Sequence, residues 1–272
     1  MNDYILRITA NDLDLLAFVA TTKETVGQAA KIQQTAPVAT AALGRLLTAA
    51  AIMGATLKNE SDILTLNIKG DGPLGGIVAT ADSRCRVKGY VVNNTGSKLD
   101  VAKAIGQGTL NVIKDMGLKE PYIGRIPFVS GEIAEVLMRY YSESEQIPTA
   151  IGLGSTGGFF MQLMPGAKEN TISHFEQMLA KSSSATAFLE QTPYDIAEFM
   201  FKDLGYAIKD KIPVEYYCDC SRERVEKALI SLGKKEIGKI LAEDKKASLN
   251  CHFCGNDYEF DENSLELILK TM

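Results

Sequence analysis

Short runs of alternating apolar and polar residues dominate the first part of the chain. Leu64, Leu66 and Ile68 alternate with polar residues, and a turn at positions 70–73 follows them. This alternation predicts a strand that buries one face. Further strands are predicted at positions 76–81, 86–92, 122–129 and 158–164. The pattern is typical of a sheet that packs against helices.

Helical periodicity follows the strand at 122–129. Ser130 can cap a helix in which Ile133, Val136, Leu137 and Tyr140 share one face. A face of this kind predicts a helix that packs on the sheet.

One apolar stretch, positions 38–57, is long enough to raise the question of a membrane span. It carries Arg45 near its middle, together with many alanines and threonines and two glycines. A charged residue at that depth is costly in a bilayer. We therefore expect a buried core helix and no membrane partner.

From about position 170 to 217 the pattern changes to helical segments. One segment places Ile172, Phe175 and Leu179 on a stripe, and a serine run at 182–184 follows. The next starts at Thr192-Pro193 and carries the apolar residues Ile196, Phe199, Met200 and Leu204. The helices either dock permanently on the preceding domain or form a linker that is buried only under some conditions. Composition favours permanent docking.

These patterns predict an α+β protein in three parts. A sheet-and-helix core domain covers positions 1–168, a helical linker covers 169–217, and a small C-terminal domain covers 218–272. The chain shows no long-period internal repeat.

Composition and charge restrict the partners. With 46% hydrophobic and 23% charged residues, the chain matches folded globular proteins. Its net charge of -5 repels phosphate backbones, so we expect no nucleic-acid partner. The N-terminus lacks the pattern of a secretory signal, so we expect a cytoplasmic protein. Five cysteines in a reducing cytosol indicate metal binding or redox chemistry before a permanent disulfide framework.

Four of the five cysteines form two close pairs. Cys218 and Cys220 make a C-x-C motif, and Cys251 and Cys254 make a C-x-x-C motif. Together they supply four thiolates, the set that tetrahedral Zn²⁺ binds at about 2.3 Å per sulfur. We predict that these four residues bind one zinc ion. Because four thiolates complete the shell, His252 is expected to be exposed.

The residues around the two pairs support a small zinc module. Ser221 can cap a helix that ends near Gly233, a second helix contains Ile237, and segments 249–251 and 258–260 flank the C-x-x-C turn as a hairpin. So short a module has little core of its own. Zinc would stabilise it by about 10–16 kcal/mol, and its removal should unfold the module.

The C-x-C spacing favours a switch over an inert zinc site. Oxidation of Cys218 and Cys220 would close a small strained ring, and strained, accessible disulfides are the labile ones. The fifth cysteine, Cys85, lies between Arg84 and Arg86, which could lower its pKa. With no cysteine nearby, an ordinary strand thiol is the favoured interpretation.

Other sequence motifs give no enzyme site. Two G-x-G-x-x-G matches, at 70–75 and 152–157, each precede a strand-like run, whereas a dinucleotide site needs a helix there. Both are predicted to be sheet turns. Neither histidine has an obvious nucleophile partner, so we expect no catalytic residues and no enzyme. A thioredoxin-like role fits poorly because Cys254 leads into Gly255-Asn256 and opens no helix.

With these motifs the chain resembles the heat shock protein 33 family of bacterial redox-regulated chaperones over essentially its whole length. The most specific part is the cysteine quartet with Ser-Arg-Glu-Arg at 221–224. Further segments share the resemblance, at positions 70–75, 121–124, 130–135, 144–148 and 165–167.

The resemblance implies a holdase that uses no ATP and protects proteins under oxidative and heat stress. Its reduced, zinc-bound form is inactive. Oxidation releases zinc, links Cys218 to Cys220 and Cys251 to Cys254, unfolds the linker at 169–217 and produces homodimers that bind unfolding client proteins. Two other functions stay open: a zinc-stabilised interaction or regulatory module without redox control, and a thiol-disulfide oxidoreductase.

Overall fold

The computed structural model of the protein describes residues 2–10, 14–94, 99–169, 171–173, 175–177, 191–202 and 205–272. It divides into two compact units, Met1–Tyr217 and Cys218–Met272. The predictions made for Leu179, for the serine run at 182–184 and for Leu204 lie outside the described residues.

The described strands are numbered in chain order. In the N-terminal unit they are β1 (Tyr4–Ala10), β2 (Leu15–Thr21), β3 (Ile63–Gly70), β4 (Gly76–Asp82), β5 (Arg86–Val91), β6 (Gly108–Asp115), β7 (Tyr122–Phe128), β8 (Thr149–Leu153), β9 (Gly157–Leu163), β10 (Tyr206–Pro213) and β11 (Glu215–Tyr216). In the C-terminal unit they are β12 (Ala247–Asn250) and β13 (Asp257–Phe260).

The described helices are numbered in the same way. The N-terminal unit contains α1 (Lys23–Gln33), α2 (Pro37–Gly54), α3 (Val101–Ile105), α4 (Ile133–Tyr140), which continues into a π-helical turn at Tyr141–Glu145, and α5 (Pro193–Phe201). Residues 171–173 and 175–177 are also helical. The C-terminal unit contains α6 (Arg222–Ile230), α7 (Lys234–Glu243) and α8 (Glu262–Thr271). The predicted α+β class is confirmed.

Two sheets form the N-terminal unit. One has the strand order β10-β1-β2-β9-β8, and the other has the order β11-β5-β4-β3-β6-β7. Neighbouring strands are antiparallel except β11, which runs parallel to β5. Each strand predicted between positions 64 and 164 is confirmed with bounds that differ by one or two residues. Both G-x-G-x-x-G segments lie at turns between paired strands, as predicted.

Helix α2 lies at the centre of the N-terminal unit. It contacts strands of both sheets, including β4, β5 and β9. It is long and apolar enough to cross a membrane, yet 78% of it is buried inside the protein. Its charged residue Arg45 pairs with Glu132 at 2.9 Å. The prediction of a buried core helix for this stretch is confirmed.

Both faces of the five-stranded sheet carry buried core residues, although its edge strand β10 is largely exposed. Ile5, Phe18 and Ala20 join the larger core with α2. The alternate residues of the same strands form a second core with the helical residues Phe175, Ile196, Met200 and Phe201, and that core includes Tyr4, Leu6, Ile8, Ala17 and Val19. Burial of both faces leaves β2 as a nearly continuous apolar run without the alternation that marks a half-buried strand, whereas β1 is interrupted by Arg7 and Thr9. Neither strand was predicted.

The linker prediction needs a correction at positions 206–216. These residues were predicted as part of a helical segment, but β10 pairs with β1 and β11 pairs with β5. Their partners lie far away in the chain, so a local helix or strand pattern could not indicate the pairing. Helix α5 is confirmed, with Thr192 as its N-cap. The role of 169–217 as a separate linker stays a prediction.

The start of α4 also differs from the prediction. The helix begins at Ile133, and Glu132 occupies the N-cap position that was assigned to Ser130. Gly131 adopts a φ of 77°, which lets the chain turn between them. The Ser130 hydroxyl then accepts a hydrogen bond from the Glu132 amide at 3.2 Å. Ile133, Val136, Leu137 and Tyr140 are buried as predicted.

Candidate metal centre

The C-terminal unit, which carries the four paired cysteines, has a small apolar core of its own. Its fully buried residues are Leu229, Ile237, Phe260, Leu265 and Ile268. The N-caps Ser221 and Asp261 fix the starts of α6 and α8, because each side chain accepts a hydrogen bond from an amide in the first helical turn. Five buried side chains are few for an independent fold. The unit therefore needs a further source of stability.

The four predicted ligands lie together in this unit. The sulfur atoms of Cys218, Cys220, Cys251 and Cys254 all lie within 4.8 Å of one another. Cys218 Sγ is 3.8 Å from Cys251 Sγ, and Cys220 Sγ is 3.2 Å from Cys254 Sγ. A tetrahedron with about 2.3 Å from metal to sulfur has edges of about 3.8 Å. The size of the cluster and its soft thiolate donors fit Zn²⁺.

Local structure explains how each pair is presented. The C-x-C pair ends immediately before Ser221, so Cys220 lies at the N-terminus of α6, where the helix dipole favours a thiolate. The C-x-x-C pair forms the turn of the β12–β13 hairpin. There the Cys251 amide donates to Asn256 O at 2.9 Å and the Gly255 amide donates to Cys251 O at 2.8 Å. Gly255 has a φ of 72°, a conformation that favours glycine.

Hydrogen bonds to the sulfur atoms are unequal. Cys218 accepts from the backbone amide of Cys220, and Cys254 accepts from the backbone amide of Asn256. Cys220 instead accepts from the phenol of Tyr258, whose oxygen lies 3.0 Å from Cys220 Sγ. This contact was missed by sequence analysis. The alternation of Tyr258 with the buried Phe260 in β13 could have indicated an inward-facing side chain.

The thiols differ in acidity. Burial works against ionisation of Cys220, but hydrogen bonds from Tyr258 and from the neighbouring thiols outweigh it and lower the pKa of Cys220. Burial raises the pKa of Cys254 to about 11 and also raises the pKa of Cys218. The hydrogen bond to Cys220 raises the pKa of Tyr258 to about 12, so this phenol keeps its proton as a donor.

Two arginines hold the C-x-C pair in place. Arg224 forms an ion pair with Asp219, the residue between the two cysteines. Arg222 donates to Glu259 O at 2.7 Å, and its guanidinium lies 4.4 Å from the centre of the Phe260 ring. These contacts join the start of α6 to β13, so the two cysteine motifs are connected by more than their sulfur atoms.

The remaining sequence candidates lie outside the cluster. His252 is exposed, as predicted, and is absent from the group of four ligands. The C-x-x-C turn leads into β13 and opens no helix, which disfavours a thioredoxin-like site.

Cys85 differs from its prediction as a strand thiol. It lies in the turn between β4 and β5, with a φ of 57° and no exposed surface. Burial, reinforced by Asp82, raises the pKa of its thiol to about 12. The flanking arginines do not lower the pKa because Arg84 pairs with Glu60 and Arg86 pairs with Asp82. Cys85 is therefore a buried turn thiol whose ionisation is disfavoured.

Comparison with known proteins agrees with this arrangement. A family model described as Hsp33 protein matches residues 3–261. The chain belongs to the Hsp33 family. The 33 kDa chaperonin of Clostridioides difficile is 47% identical, with 100% of both chains covered. The 33 kDa chaperonin of Acetivibrio thermocellus is 46% identical, with 99% of this chain and 98% of that protein covered.

A solved Hsp33 structure has the same fold. The crystal structure of the 33 kDa chaperonin from Thermotoga maritima superimposes with a TM-score of 0.86 at 33% sequence identity. The match covers 100% of this chain and 99% of the Thermotoga maritima chain. The family resemblance inferred from the cysteine motifs is confirmed.

Proposed function

We propose that this Hsp33 protein is an ATP-independent holdase chaperone that oxidation switches on. The observation that carries the proposal is the cluster of four thiols, Cys218, Cys220, Cys251 and Cys254, in a unit with few buried residues. A site of this kind couples the redox state of the thiols to the folding of the unit. The names of the curated relatives support the chaperone part of the proposal.

In the reduced state the four thiolates hold the C-terminal unit together. Zn²⁺ bound by these four residues would join the two cysteine motifs and would contribute about 10–16 kcal/mol to folding. Cys218 and Cys220 present two thiolates from the start of α6, and Cys251 and Cys254 present two from the hairpin turn. The backbone amides of Cys220 and Asn256 and the phenol of Tyr258 stabilise the thiolate charges.

Oxidation removes the ligands. A thiolate attacks peroxide, the O–O bond breaks, and a sulfenic acid and hydroxide form. A second thiolate then attacks that sulfur, forms the disulfide and expels the second hydroxide. We propose pairing of Cys218 with Cys220 and of Cys251 with Cys254, because closure within a short motif needs no long loop. Neither disulfide retains the thiolates that bind zinc, so the metal leaves and the unit unfolds.

The N-terminal unit offers an apolar surface that unfolding of the linker would uncover. Phe175, Ile196, Met200 and Phe201 cover one face of the five-stranded sheet, where Leu6 and Ile8 are fully buried. Release of these helical residues would expose a continuous apolar face. Apolar patches of this kind bind other proteins. We propose that this face holds unfolding clients and that its exposure accompanies formation of a homodimer.

Partners and location follow from the charge and the thiols. Residues 218–272 contain nine Lys and Arg against eleven Asp and Glu, and a zinc centre with four thiolates adds negative charge. Such a module does not attract nucleic acid. A thiol switch needs a compartment that normally keeps cysteines reduced, so we place the protein in the cytoplasm. The chaperonin family name denotes no enzyme class, and we propose no catalytic residue.

Zinc content and client aggregation, measured together, test the proposal. Reduced protein should contain one zinc per chain and leave light scattering by a heat-unfolding client unchanged. After peroxide, zinc should be released and scattering should be suppressed without ATP. Zinc retention with unchanged scattering would indicate an interaction module without redox control. Catalytic turnover of a dithiol substrate would indicate an oxidoreductase.

A further inference from the structure

Tyr258, in β13, contacts one thiol of the C-x-C pair. Its ring packs against the core residues of this unit, and its hydroxyl oxygen lies 3.0 Å from Cys220 Sγ. Tyr258 pairs with Leu249 across the β12–β13 hairpin. The register of the hairpin therefore directs the phenol inward, with an apolar ring in the core and a polar tip at the sulfur.

The surrounding contacts fix this geometry. Arg222, two residues after Cys220, donates to the carbonyl of Glu259, the residue after Tyr258, at 2.7 Å. The same guanidinium covers the ring of the buried Phe260 at 4.4 Å. The segments that carry the sulfur and the phenol are thus bonded to each other beside the contact, which restricts the freedom of both groups.

The donor to Cys220 also differs in kind from the donors to two other sulfur atoms. Cys218 and Cys254 receive backbone amides, from Cys220 and Asn256, which no substitution short of proline removes. Cys220 receives a side-chain hydroxyl. The hydrogen bond to the Cys220 thiolate thus depends on the side chain of a single residue, Tyr258 in β13.

We infer that Tyr258 is a positioning residue that strengthens zinc retention and slows attack of Cys220 on peroxide. This inference rests on the proposed redox switch. Outer-shell donors of metal ligands typically contribute about 10–100-fold to metal affinity. In the zinc-bound state every ligand is already a thiolate. A hydrogen bond therefore cannot increase the thiolate fraction there and lowers only the nucleophilicity of the sulfur.

The chemical consequence concerns which sulfur reacts first. The sulfur that attacks peroxide becomes the sulfenic acid, while hydroxide leaves with the electrons of the broken O–O bond. The partner thiolate then displaces the second hydroxide and closes the disulfide. With Tyr258 in place, the first sulfenic acid should form mainly on cysteines other than Cys220. Without the phenol, Cys220 should gain a larger share of the first step.

Tyr258→Phe is the test variant because it removes the hydroxyl and keeps the ring. Ser231→Ala is the matched control, since it removes a hydroxyl from the same unit that bonds to Ala228 O at 2.6 Å. Competition with a chromogenic chelator should show zinc binding about 10-fold weaker in Tyr258→Phe. Ser231→Ala should retain the wild-type affinity. Equal affinity of all three proteins would overturn the inference.

Trapping of sulfenic acid with dimedone, followed by peptide mass spectrometry, shows directly which cysteine is oxidised first. At low peroxide, the share of label on Cys220 should rise several-fold in Tyr258→Phe relative to wild type and Ser231→Ala. An unchanged share would contradict the role of the phenol. If Tyr258→Phe merely loosened the structure, the label would increase on all four cysteines together. That result would also count against the inference.

A measurement on the wild-type protein covers the case in which Tyr258→Phe does not fold. Cadmium NMR of the cadmium-substituted protein should show coupling to the Tyr258 hydroxyl proton through Cys220. Couplings to the Cys220 and Asn256 amide protons without one to Tyr258 would overturn the inference. A different result would contradict the proposed function itself: peroxide would release no zinc from the wild-type protein.

Discussion

The sulfur atoms of Cys218 and Cys251 lie 3.8 Å apart, although 33 positions separate the two residues. This distance equals the edge of about 3.8 Å expected for a tetrahedral zinc–thiolate site. Each motif supplies only half of the four thiols, so the proposed zinc site needs both motifs at once. Loss of a thiol from either motif should therefore lower the zinc content of the protein.

Removal of one ligand from each motif tests this dependence. Cys218→Ser and Cys251→Ser should each lose most of the one zinc per chain that we propose for the reduced protein, because three thiolates leave the shell open. Cys85→Ala is the matched control, since Cys85 lies in the turn between β4 and β5. Metal analysis of purified protein is the measurement. Unchanged zinc in Cys251→Ser would argue against a four-thiolate site.

Disulfide mapping tests the proposed pairing. Peroxide should link Cys218 to Cys220 and Cys251 to Cys254, although Cys220 Sγ lies only 3.2 Å from Cys254 Sγ in the other motif. We expect pairing within each motif because closure within such a short motif needs no long loop. Cys85 should stay reduced, since burial raises the pKa of its thiol to about 12. Peptide mapping with a dominant disulfide to Cys85, or across the motifs, would contradict the scheme.

Substitution in α5 tests the docking of the linker helix. Met200 is 5% exposed and Phe199 is 40% exposed, although both were named among the apolar residues of this predicted helix. Met200→Ala should destabilise the docked helix by about 2–5 kcal/mol through loss of apolar contacts. Urea unfolding should show this cost, and client binding should need less peroxide.

Phe199→Ala is the control for the α5 substitution. It removes a larger side chain from the same helix, but most surface substitutions change stability by about 0.5 kcal/mol or less. Equal effects of the two variants on unfolding and on the peroxide requirement would contradict the docking surface derived from the second core.

Local sequence patterns predicted the parts of the fold that local chemistry specifies. Ser221 as the cap of α6 and the hairpin around the C-x-x-C turn are encoded by adjacent residues, and both are confirmed. Four cysteines in two close pairs similarly indicated one cluster. Predictions of this kind depend on neighbouring residues and on the small number of ways in which thiols bind metal.

The features that sequence analysis missed depend on distant partners. β10 carries exposed charged residues and becomes a strand only because β1 lies beside it. The phenol of Tyr258 meets Cys220 across 38 positions. Cys85 is flanked by two arginines, but their charges are taken up by Glu60 and Asp82. In each case the structure depends on contacts with residues that are distant in the sequence. A local sequence pattern does not indicate such contacts.

A half-buried ion pair at the end of the π-helical turn gives a pH prediction. Lys114 donates to Glu145 at 2.6 Å, and Tyr140 donates to the same carboxylate. Burial works against the charge, but these hydrogen bonds outweigh it and lower the pKa of Glu145. Glu145→Gln should cost about 1.5–3 kcal/mol of stability at neutral pH, as expected for a hydrogen bond to a charged group.

The sign of the pH dependence follows from the lowered pKa. The contribution of Glu145 is fully present above its pKa in the unfolded chain and is lost as the pH falls through its pKa in the folded chain. The difference between wild type and Glu145→Gln should therefore shrink below about pH 4. Glu143→Gln is the control: its exposed pair with Arg139 should contribute about 1 kcal/mol or less. Urea unfolding at several pH values checks both, and a pH-independent difference would contradict the assignment.

Removal of zinc tests the coupling between the metal centre and the fold. The core of residues 218–272 contains five fully buried side chains, so chelation of the reduced protein should abolish its hydrogen-exchange protection. In the oxidised protein, protection should also fall from about residue 169 onward, as the helical residues leave the second core. β2 and β9 should stay protected, because they pair with each other along seven positions and also border the larger core. Full client binding with uniform protection across the chain would disprove the coupling and place the switch at the dimer interface.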